Sequence, residues 1–411
     1  MKYGCIGERL KHSFSKEIHN VIADYEYEIK EVASDKLDDF MSKKDFVAIN
    51  VTIPYKERVI PHLTWIDEHA KLIGSVNTIV NKSGNLYGYN TDFFGMTKLL
   101  ENAGIDVQGK KVAILGTGGT CKTAVAVVKA LGAKQTIIVS RKTGDNKIDY
   151  ETLLKEYTDS EIIINTTPCG MFPNNFETPV DLTCFNKLCG VVDAIYNPIR
   201  TNLVSQAKQM GVKAQGGLYM LVAQAVRACE IFLGKTFSTD VIDKTYNKIL
   251  SQKENVILIG MPSCGKSTVG KIVAKLLERE VVDTDKEIVK LGREIKDIFA
   301  TDGEKAFRDI ETQTIKEVAK STCKVIATGG GAILREENVK ALKQNGKIYF
   351  IDRPLENLIP TSDRPLSVDK NAIEKLYNQR YSIYSSVCDV KNDANCTPEQ
   401  VANKIIGDFV K

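Results

Sequence analysis

Long hydrophobic runs are missing from this 411-residue chain. No stretch approaches the ~18 consecutive apolar residues that cross a bilayer, so a helical membrane span is not expected. An excess of one charge is missing too: 56 Lys and Arg against 52 Asp and Glu leave a net charge of only +4. That balance argues against a nucleic-acid-binding or membrane-binding surface and leaves room only for local basic sites. The opening Met1-Lys2-Tyr3-Gly4-Cys5-Ile6-Gly7 has no apolar signal-peptide core, so a cytoplasmic location is expected. The ten cysteines form no Cys-x-x-Cys pair and no Cys/His cluster, and they read as reduced, structural thiols rather than bridges or metal ligands. No internal repeat is visible.

What is present is alternation. Short apolar runs alternate with amphipathic stretches, the α/β pattern of parallel sheets. Strands are expected at 46–51, 111–115, 135–139, 161–164, 191–194, 256–259, 324–327 and 347–351, and helices at 123–131, 219–232 and 266–277. Two glycine-rich turns each follow a strand and open a helix: Gly116-Thr117-Gly118-Gly119 and Gly260-Met261-Pro262-Ser263-Cys264-Gly265-Lys266-Ser267. Each belongs to its own sheet, which makes two nucleotide-binding units. The polar stretch Ser251-Gln252-Lys253-Glu254 reads as the linker between them. Residues 1–105 are too many for a lead-in strand and form a further domain, ahead of 106–250 and 255–411.

The second glycine turn matches the P-loop pattern. Small residues let backbone N–H groups close on a phosphate, Lys266 supplies a point charge at the β- and γ-phosphates, and Ser267 offers a hydroxyl to Mg²⁺. The helix that starts there adds its positive end. Asp283-Thr284-Asp285 follows. Two carboxylates one residue apart share a face of an extended segment, so one can serve the metal while the other orients a hydroxyl nucleophile. Then come Gly303-Glu304-x-x-Phe307-Arg308-x-x-Glu311, Ala327-Thr328-Gly329-Gly330-Gly331-Ala332, Arg364-Pro365-Leu366 and Arg380-x-x-x-Tyr384. This ordered set resembles shikimate kinase over nearly all of 255–411. The resemblance implies that Asp285 holds the substrate hydroxyls, that Arg308 and Arg380 clamp its carboxylate, and that the Gly330 backbone closes over the ring. It implies ATP contacts from Ser263, Cys264, Gly265, Lys266, Ser267 and Thr268, a lid arginine at Arg364, and Mg²⁺ at Ser267 and Asp283. A planar carboxylate favours bidentate arginine over lysine. Glu311, three residues beyond Arg308, is placed to hold that guanidinium. The early lid stretch Leu358-Ile359-Pro360-Thr361-Ser362-Asp363 lacks an arginine that many members of the family carry.

In the first half, the glycine turn sits in strand–turn–helix context, as dinucleotide folds require. After the next strand the chain reads Val139-Ser140-Arg141-Lys142-Thr143, with two cations and no carboxylate, which suits a 2′-phosphate and therefore NADP rather than NAD. Ahead of it lies a dense polar set: Ser13-Phe14-Ser15, Asn50-Val51-Thr52-Ile53-Pro54-Tyr55-Lys56-Glu57, Gly74-Ser75-Val76-Asn77-Thr78 and Asn90-Thr91-Asp92. Taken singly, these could be caps, turns or surface charge. With Asn165-Thr166-Thr167-Pro168, Tyr196-Asn197-Pro198 and Gly217-x-x-Met220-Leu221-Val222-x-Gln224 they resemble shikimate dehydrogenase over about residues 1–250. The resemblance implies that Lys56 and Asp92 form the catalytic pair and that Ser13, Ser15, Thr52, Asn77, Tyr196 and Gln224 surround the substrate. Gly116, Thr117, Gly118, Gly119 and Thr120 would take the pyrophosphate, Ser140, Arg141 and Lys142 the 2′-phosphate, and Gly217 the nicotinamide.

The expectation is therefore an α/β chain in three parts: a substrate domain, a Rossmann NADP domain and a P-loop kinase domain. It would be a bifunctional enzyme using NADP(H), ATP and Mg²⁺ on 3-dehydroshikimate and shikimate, as a monomer or homodimer. Two other readings are disfavoured by the residues themselves. An NAD-dependent quinate enzyme is opposed by the basic cofactor loop and by the kinase half. A non-catalytic module is opposed by the presence of Lys56, Asp92, Lys266, Asp285 and Arg308.

Overall fold

The computed structural model describes residues 1–10, 14–360, 366 and 368–410. Two of the expected site residues, Ser13 and Arg364, lie outside them. The chain divides into two compact units, Met1–Ile249 and Leu250–Lys411. Residues 251–253, read from sequence as linker, belong to the last turn of the helix Val241–Lys253.

The first unit holds two six-stranded sheets. The first is built from β1 (Tyr3–Gly7), β2 (Tyr27–Glu31), β3 (Ala48–Val51), β4 (Trp65–Ile66), β5 (Thr78–Lys82) and β6 (Asn85–Tyr89), in the order β2-β1-β3-β5-β6-β4. The alternation points to parallel sheets, and this one is mixed: β5 runs antiparallel to both β3 and β6. The β5–β6 reversal is made by a two-residue turn, Ser83-Gly84, with both φ positive (51° and 86°), the geometry of a tight hairpin. The second sheet comprises β7 (Lys111–Leu115), β8 (Gln135–Ser140), β9 (Ile148–Asp149), β10 (Ile162–Asn165), β11 (Gly190–Asp193) and β12 (Lys213–Gln215). It is wholly parallel, in the order β12-β11-β10-β7-β8-β9. Every residue of β10 and β11 is buried, as expected of strands covered on both faces. The order reverses at β7, and such switch points open the crevice in which α/β sheets take ligands.

The helix Leu218–Leu233 returns to pack on the helix Thr91–Asn102. Gly95 makes the approach possible, because a Cβ there would lie 2.7 Å from the Met220 carbonyl oxygen.

The second unit carries one parallel sheet of β13 (Asn255–Ile259), β14 (Glu280–Asp283), β15 (Lys324–Ala327), β16 (Gly346–Asp352) and β17 (Val390–Asp393), in the order β14-β15-β13-β16-β17. Its switch point is β13. A continuous apolar core including Val256, Leu258, Val273, Ile326, Ile348 and Phe350 lies around it. The terminal helix Pro398–Phe409 begins at a capping box between Thr397 and Gln400, a device that contributes about 1 kcal/mol. No helix among the described residues is long and apolar enough to cross a membrane.

Candidate functional sites

In the first unit, β3 delivers the chain into a turn whose anchor is Tyr55. Its ring is fully buried and its hydroxyl donates to the Val32 carbonyl at 2.5 Å. Thr52 is tied back to β1 through its N–H to the Ile6 carbonyl (3.0 Å). The next residue after the anchor, Lys56, turns outward and meets Asp92, with Nζ–Oδ2 2.6 Å. Asp92 sits in the first turn of the helix Thr91–Asn102, where the helix dipole favours a carboxylate. Asn90 starts that helix by accepting the Phe93 N–H (3.2 Å), while its amide donates to the Ser75 carbonyl (2.8 Å). Capping therefore fixes the height of Asp92, and the buried tyrosine fixes the reach of Lys56.

Around this pair the structure gathers polar groups from distant segments. Asn77 Oδ1 accepts the Thr91 N–H (2.8 Å) and Asn77 Nδ2 donates to Thr91 Oγ1 (3.1 Å). Thr91 Oγ1 donates in turn to Gln224 Oε1 (3.3 Å). Two expected substrate residues thus meet at Thr91, a residue quoted within a motif but given no role from sequence. Its signal was a small hydroxyl immediately before Asp92. Ser15 opens the helix Ser15–Ile22, and the neighbouring Phe14 ring packs against Tyr196 at 5.3 Å.

At the first glycine turn, Gly116 follows β7 with φ +112° and lies so close to Thr166 Oγ1 that a Cβ would stand 2.7 Å from it. Thr166 itself donates to the Leu115 carbonyl (2.6 Å). Gly118 and Gly119, at the start of the helix Gly119–Ala130, face open space where side chains would stand, a cradle consistent with a pyrophosphate. Arg141 and Lys142 are exposed beyond β8, and Ser140 Oγ accepts the Lys142 N–H (3.2 Å). Gly217 is required by space: a Cβ would run into the Ala194 carbonyl, and its N–H already donates to Ile195 (2.8 Å). Lys122 on the helix Gly119–Ala130 pairs with Glu57, next to Lys56, at 2.6 Å. Beneath this crevice, buried Asp193 accepts from Asn165 Nδ2 (3.0 Å), the Ile195 N–H (3.0 Å) and Thr201 Oγ1 (2.7 Å). Burial outweighs those bonds and pushes its carboxyl up to about 6.

In the second unit, β13 ends at a loop with left-handed backbone at Ser263 (φ 64°) and Gly265 (φ 98°), ahead of the helix Lys266–Leu276. Lys266 is buried and folds over its own loop, donating to the Gly260 and Met261 carbonyls at 2.9 Å each. Ser263 Oγ is buried with no hydrogen-bond partner. A loop with an orphaned donor, a buried ammonium and a helix N-terminus fits a phosphate chain. Ser267 Oγ donates to Asp283 Oδ2 at 2.7 Å, and this oxygen-only pair fits Mg²⁺, which takes few protein ligands beside water and phosphate. Thr268 is exposed, whereas Cys264 is buried.

The extended Asp-x-Asp face does not form. β14 stops at Asp283, which caps the helix Thr284–Val289 by accepting the Asp285 N–H (3.2 Å). Asp285 therefore lies in a helical first turn, and its approach to the site comes from that helix rather than from strand alternation. Gly329 packs against it, since a Cβ there would be 2.5 Å from Asp285 Oδ1 and 2.8 Å from Glu311 Oε1. Arg308 Nη1 donates to Glu311 Oε2 (2.9 Å), and Nη2 donates to Glu304 (2.9 Å). Burial works against the Arg308 charge, but the Glu311 and Glu304 carboxylates win and hold its pKa up. Arg380 Nη1 donates to the Gly330 carbonyl (3.1 Å), which also accepts from Tyr384. Burial pulls the Arg380 pKa down, the nearby Tyr384 offsets this, and the Arg308 charge adds to it, so the two guanidiniums share one environment.

Comparison with known proteins follows the same division. The family model described as shikimate dehydrogenase substrate binding domain matches residues 5–79, and that described as shikimate kinase matches residues 262–409. An NADP⁺ shikimate dehydrogenase of Clostridium perfringens is 37% identical over 264 residues, covering 60% of this chain and 97% of the relative. The crystal structure of shikimate dehydrogenase 1 from Peptoclostridium difficile matches with TM-score 0.56 and 37% identity, over 61% of this chain and 98% of that one. A chorismate mutase/shikimate 5-dehydrogenase fusion protein from Clostridium acetobutylicum matches with TM-score 0.57 and 34% identity, over 60% and 96%.

Proposed function

Because the chain belongs to the shikimate dehydrogenase family and carries behind that region a segment matching shikimate kinase, we propose that it is a bifunctional enzyme performing two consecutive reactions on one ring acid. The first is NADPH-dependent reduction of 3-dehydroshikimate to shikimate, and the second is ATP-dependent phosphorylation of shikimate to shikimate 3-phosphate. The observation that carries this reading is that each unit sets a nucleotide loop beside its own ion-paired polar cleft: Lys56–Asp92 in one, Arg308–Glu311 in the other.

In the reduction, NADPH supplies the hydride to the C3 carbonyl carbon. Lys56 gives a proton to the alkoxide oxygen that results, and Asp92 holds both the ammonium and a ring hydroxyl. Asn77, Gln224, Thr52, Ser15 and Ser13 orient the remaining hydroxyls and the carboxylate, with Tyr196 closing one side. Arg141 and Lys142 hold the 2′-phosphate, Ser140 shapes their turn, and Gly116, Thr117, Gly118, Gly119, Thr120 and Gly217 present backbone to the dinucleotide.

In the phosphorylation, Mg²⁺-bound ATP supplies the phosphoryl group. Asp285 orients the 3-hydroxyl and receives its proton. Arg308 and Arg380 hold the substrate carboxylate, which takes over the outer guanidinium edge now occupied by half-exposed Glu304. Gly330 faces the ring. Lys266 and Arg364 neutralise the phosphates, and Ser267 and Asp283 hold the metal. The protein acts on small molecules and needs neither nucleic acid nor membrane. Oligomeric state is proposed as monomer or homodimer, and location as cytoplasmic.

The test is a coupled assay of the full chain with 3-dehydroshikimate, NADPH, ATP and Mg²⁺. Lys56→Ala is expected to remove reduction by about 10²-fold or more while phosphorylation of added shikimate persists, and Lys266→Ala to do the reverse. Loss of both activities in either variant would refute the separation of the sites.

A further inference from the structure

The cations around the kinase loop are nearly all engaged. Lys266 bonds loop carbonyls, Arg308 is held by two glutamates, Arg380 bonds Gly330, and Arg335 pairs with Asp309 at 2.6 Å. Among the described residues Arg353 is the exception. It follows β16 directly and is half-buried, and its Nε is shut off from solvent with no hydrogen-bond partner. The carboxylate beside it in sequence does not serve it, because Asp352 is taken by Lys391 (2.9 Å) and by the Tyr381 hydroxyl (3.1 Å). A buried donor of a charged group left unmade lowers stability, so its retention calls for an acceptor that arrives from outside.

Its position says which acceptor. β16 lies alongside β13 with Ile259 opposite Phe350. One step further on, Gly260 opens the phosphate loop so close to β16 that a Cβ on it would stand 2.8 Å from the Ile351 carbonyl oxygen. Arg353 lies two residues beyond that carbonyl, at the carboxyl end of the sheet where α/β folds take ligands. The phosphoryl-acceptor and metal groups, Asp283, Asp285 and Gly329, come from beyond β14 and β15, on the opposite flank of β13. Arg353 therefore stands on the flank left to the nucleotide. The residues that follow, Pro354-Leu355-Glu356-Asn357-Leu358-Ile359-Pro360, bring no other cation.

We propose that Arg353 is a nucleotide-binding residue of the second unit, its guanidinium swinging out of its half-buried seat when the nucleoside triphosphate binds and donating there to a phosphate oxygen. The proposal rests on the kinase reading above. A planar guanidinium presents two adjacent donors to such an oxygen, which a lysine cannot reproduce.

The experiment uses the full chain with Arg353→Ala and Arg353→Lys. Initial phosphorylation rates are measured with ATP varied at saturating shikimate and the converse, ADP binding is followed by titration calorimetry, and thermal unfolding is recorded without nucleotide. Arg353→Ala is expected to raise the ATP KM and the ADP Kd about tenfold and to move the shikimate KM by less than about twofold. Arg353→Lys is expected to recover less than half of the loss on a logarithmic scale. The unfolding midpoint without nucleotide is expected to stay level or rise, since an unmade donor has been removed. Unchanged ATP KM and ADP Kd, equal shifts in both KM values, or a lowered midpoint would each overturn the proposal. A wild-type chain that bound ADP but did not phosphorylate shikimate would defeat the kinase reading, and the ADP titration of the variants would still decide the role of Arg353.

Discussion

Gly329, Gly330 and Gly331 are glycine for want of space. A Cβ on Gly329 would crowd Asp285 and Glu311, one on Gly330 would stand 3.0 Å from the Pro262 ring, and one on Gly331 would collide with the Arg308 guanidinium. The three residues act as a template against which Asp285, Glu311, Pro262 and Arg308 are seated. Gly331→Ala should therefore displace Arg308 from Glu311. The expected result in steady-state kinetics is a shikimate KM raised about tenfold with the ATP KM nearly unchanged, since one charge-assisted bond to the carboxylate is worth roughly that much. In the other unit, Asp193 makes a residue-level prediction in pH. Burial raises its carboxyl from 3.8 to about 6 in the folded chain. The folded form holds its proton over a range in which the unfolded form has released it. The stabilisation is therefore complete below 3.8 and is lost as pH rises through about 6. Asp193→Asn should abolish this change, which is about 3 kcal/mol across the window. The check is unfolding of both proteins between pH 4 and 7, following the transition that NADP⁺ raises. A difference between them that does not vary with pH would contradict the assignment.

At the scale of elements, the dehydrogenase site depends on how closely two helices approach. Gly95 lets the helix Thr91–Asn102 lie against Leu218–Leu233, and a Cβ would stand 3.0 Å from that of Gln224 as well as against the Met220 carbonyl. This contact holds Gln224 within reach of Thr91 and hence of Asn77. Gly95→Ala has to separate the helices by a few tenths of an ångström or more. The expectation is a loss of about 1–3 kcal/mol in stability of the first unit and a fall in dehydrogenase kcat/KM, with phosphorylation kinetics untouched. Full dehydrogenase activity in a destabilised Gly95→Ala would show that the helix contact serves stability alone.

At the scale of the whole molecule, each unit has its own hydrophobic core. The cores of the second unit are drawn from residues between Val256 and Phe409, and those of the first from Cys5 to Phe232. Separate cores imply separate unfolding. Calorimetry is expected to resolve two transitions, one raised by NADP⁺ and the other by ADP, each by about 2.7 kcal/mol at a hundredfold excess over Kd. A single transition moved by both ligands would show the units to be one cooperative body.

Much of this protein was legible before folding. β7 and β15 lie at the expected bounds, because continuous apolar runs flanked by polar residues admit few alternatives. The two glycine-rich strand–turn–helix loops are legible for a similar reason, since backbone curvature and helix start are encoded by neighbours in sequence. The hairpin of β5 and β6 escapes the apolar-run pattern although Ser83-Gly84 is a turn signal, and strand alternation misplaces the Asp283–Asp285 pair because one cap converts a strand end into a helix start. Local chemistry could specify Lys56, Asp92, Lys266 and Ser267 as candidates. Only tertiary structure could bring Gln224 to Thr91 across 133 positions, or seat Arg380 on Gly330 across 50. Sequence spacing determines what a segment can do by itself, whereas contacts between distant segments depend on packing distances set by small residues far from any motif.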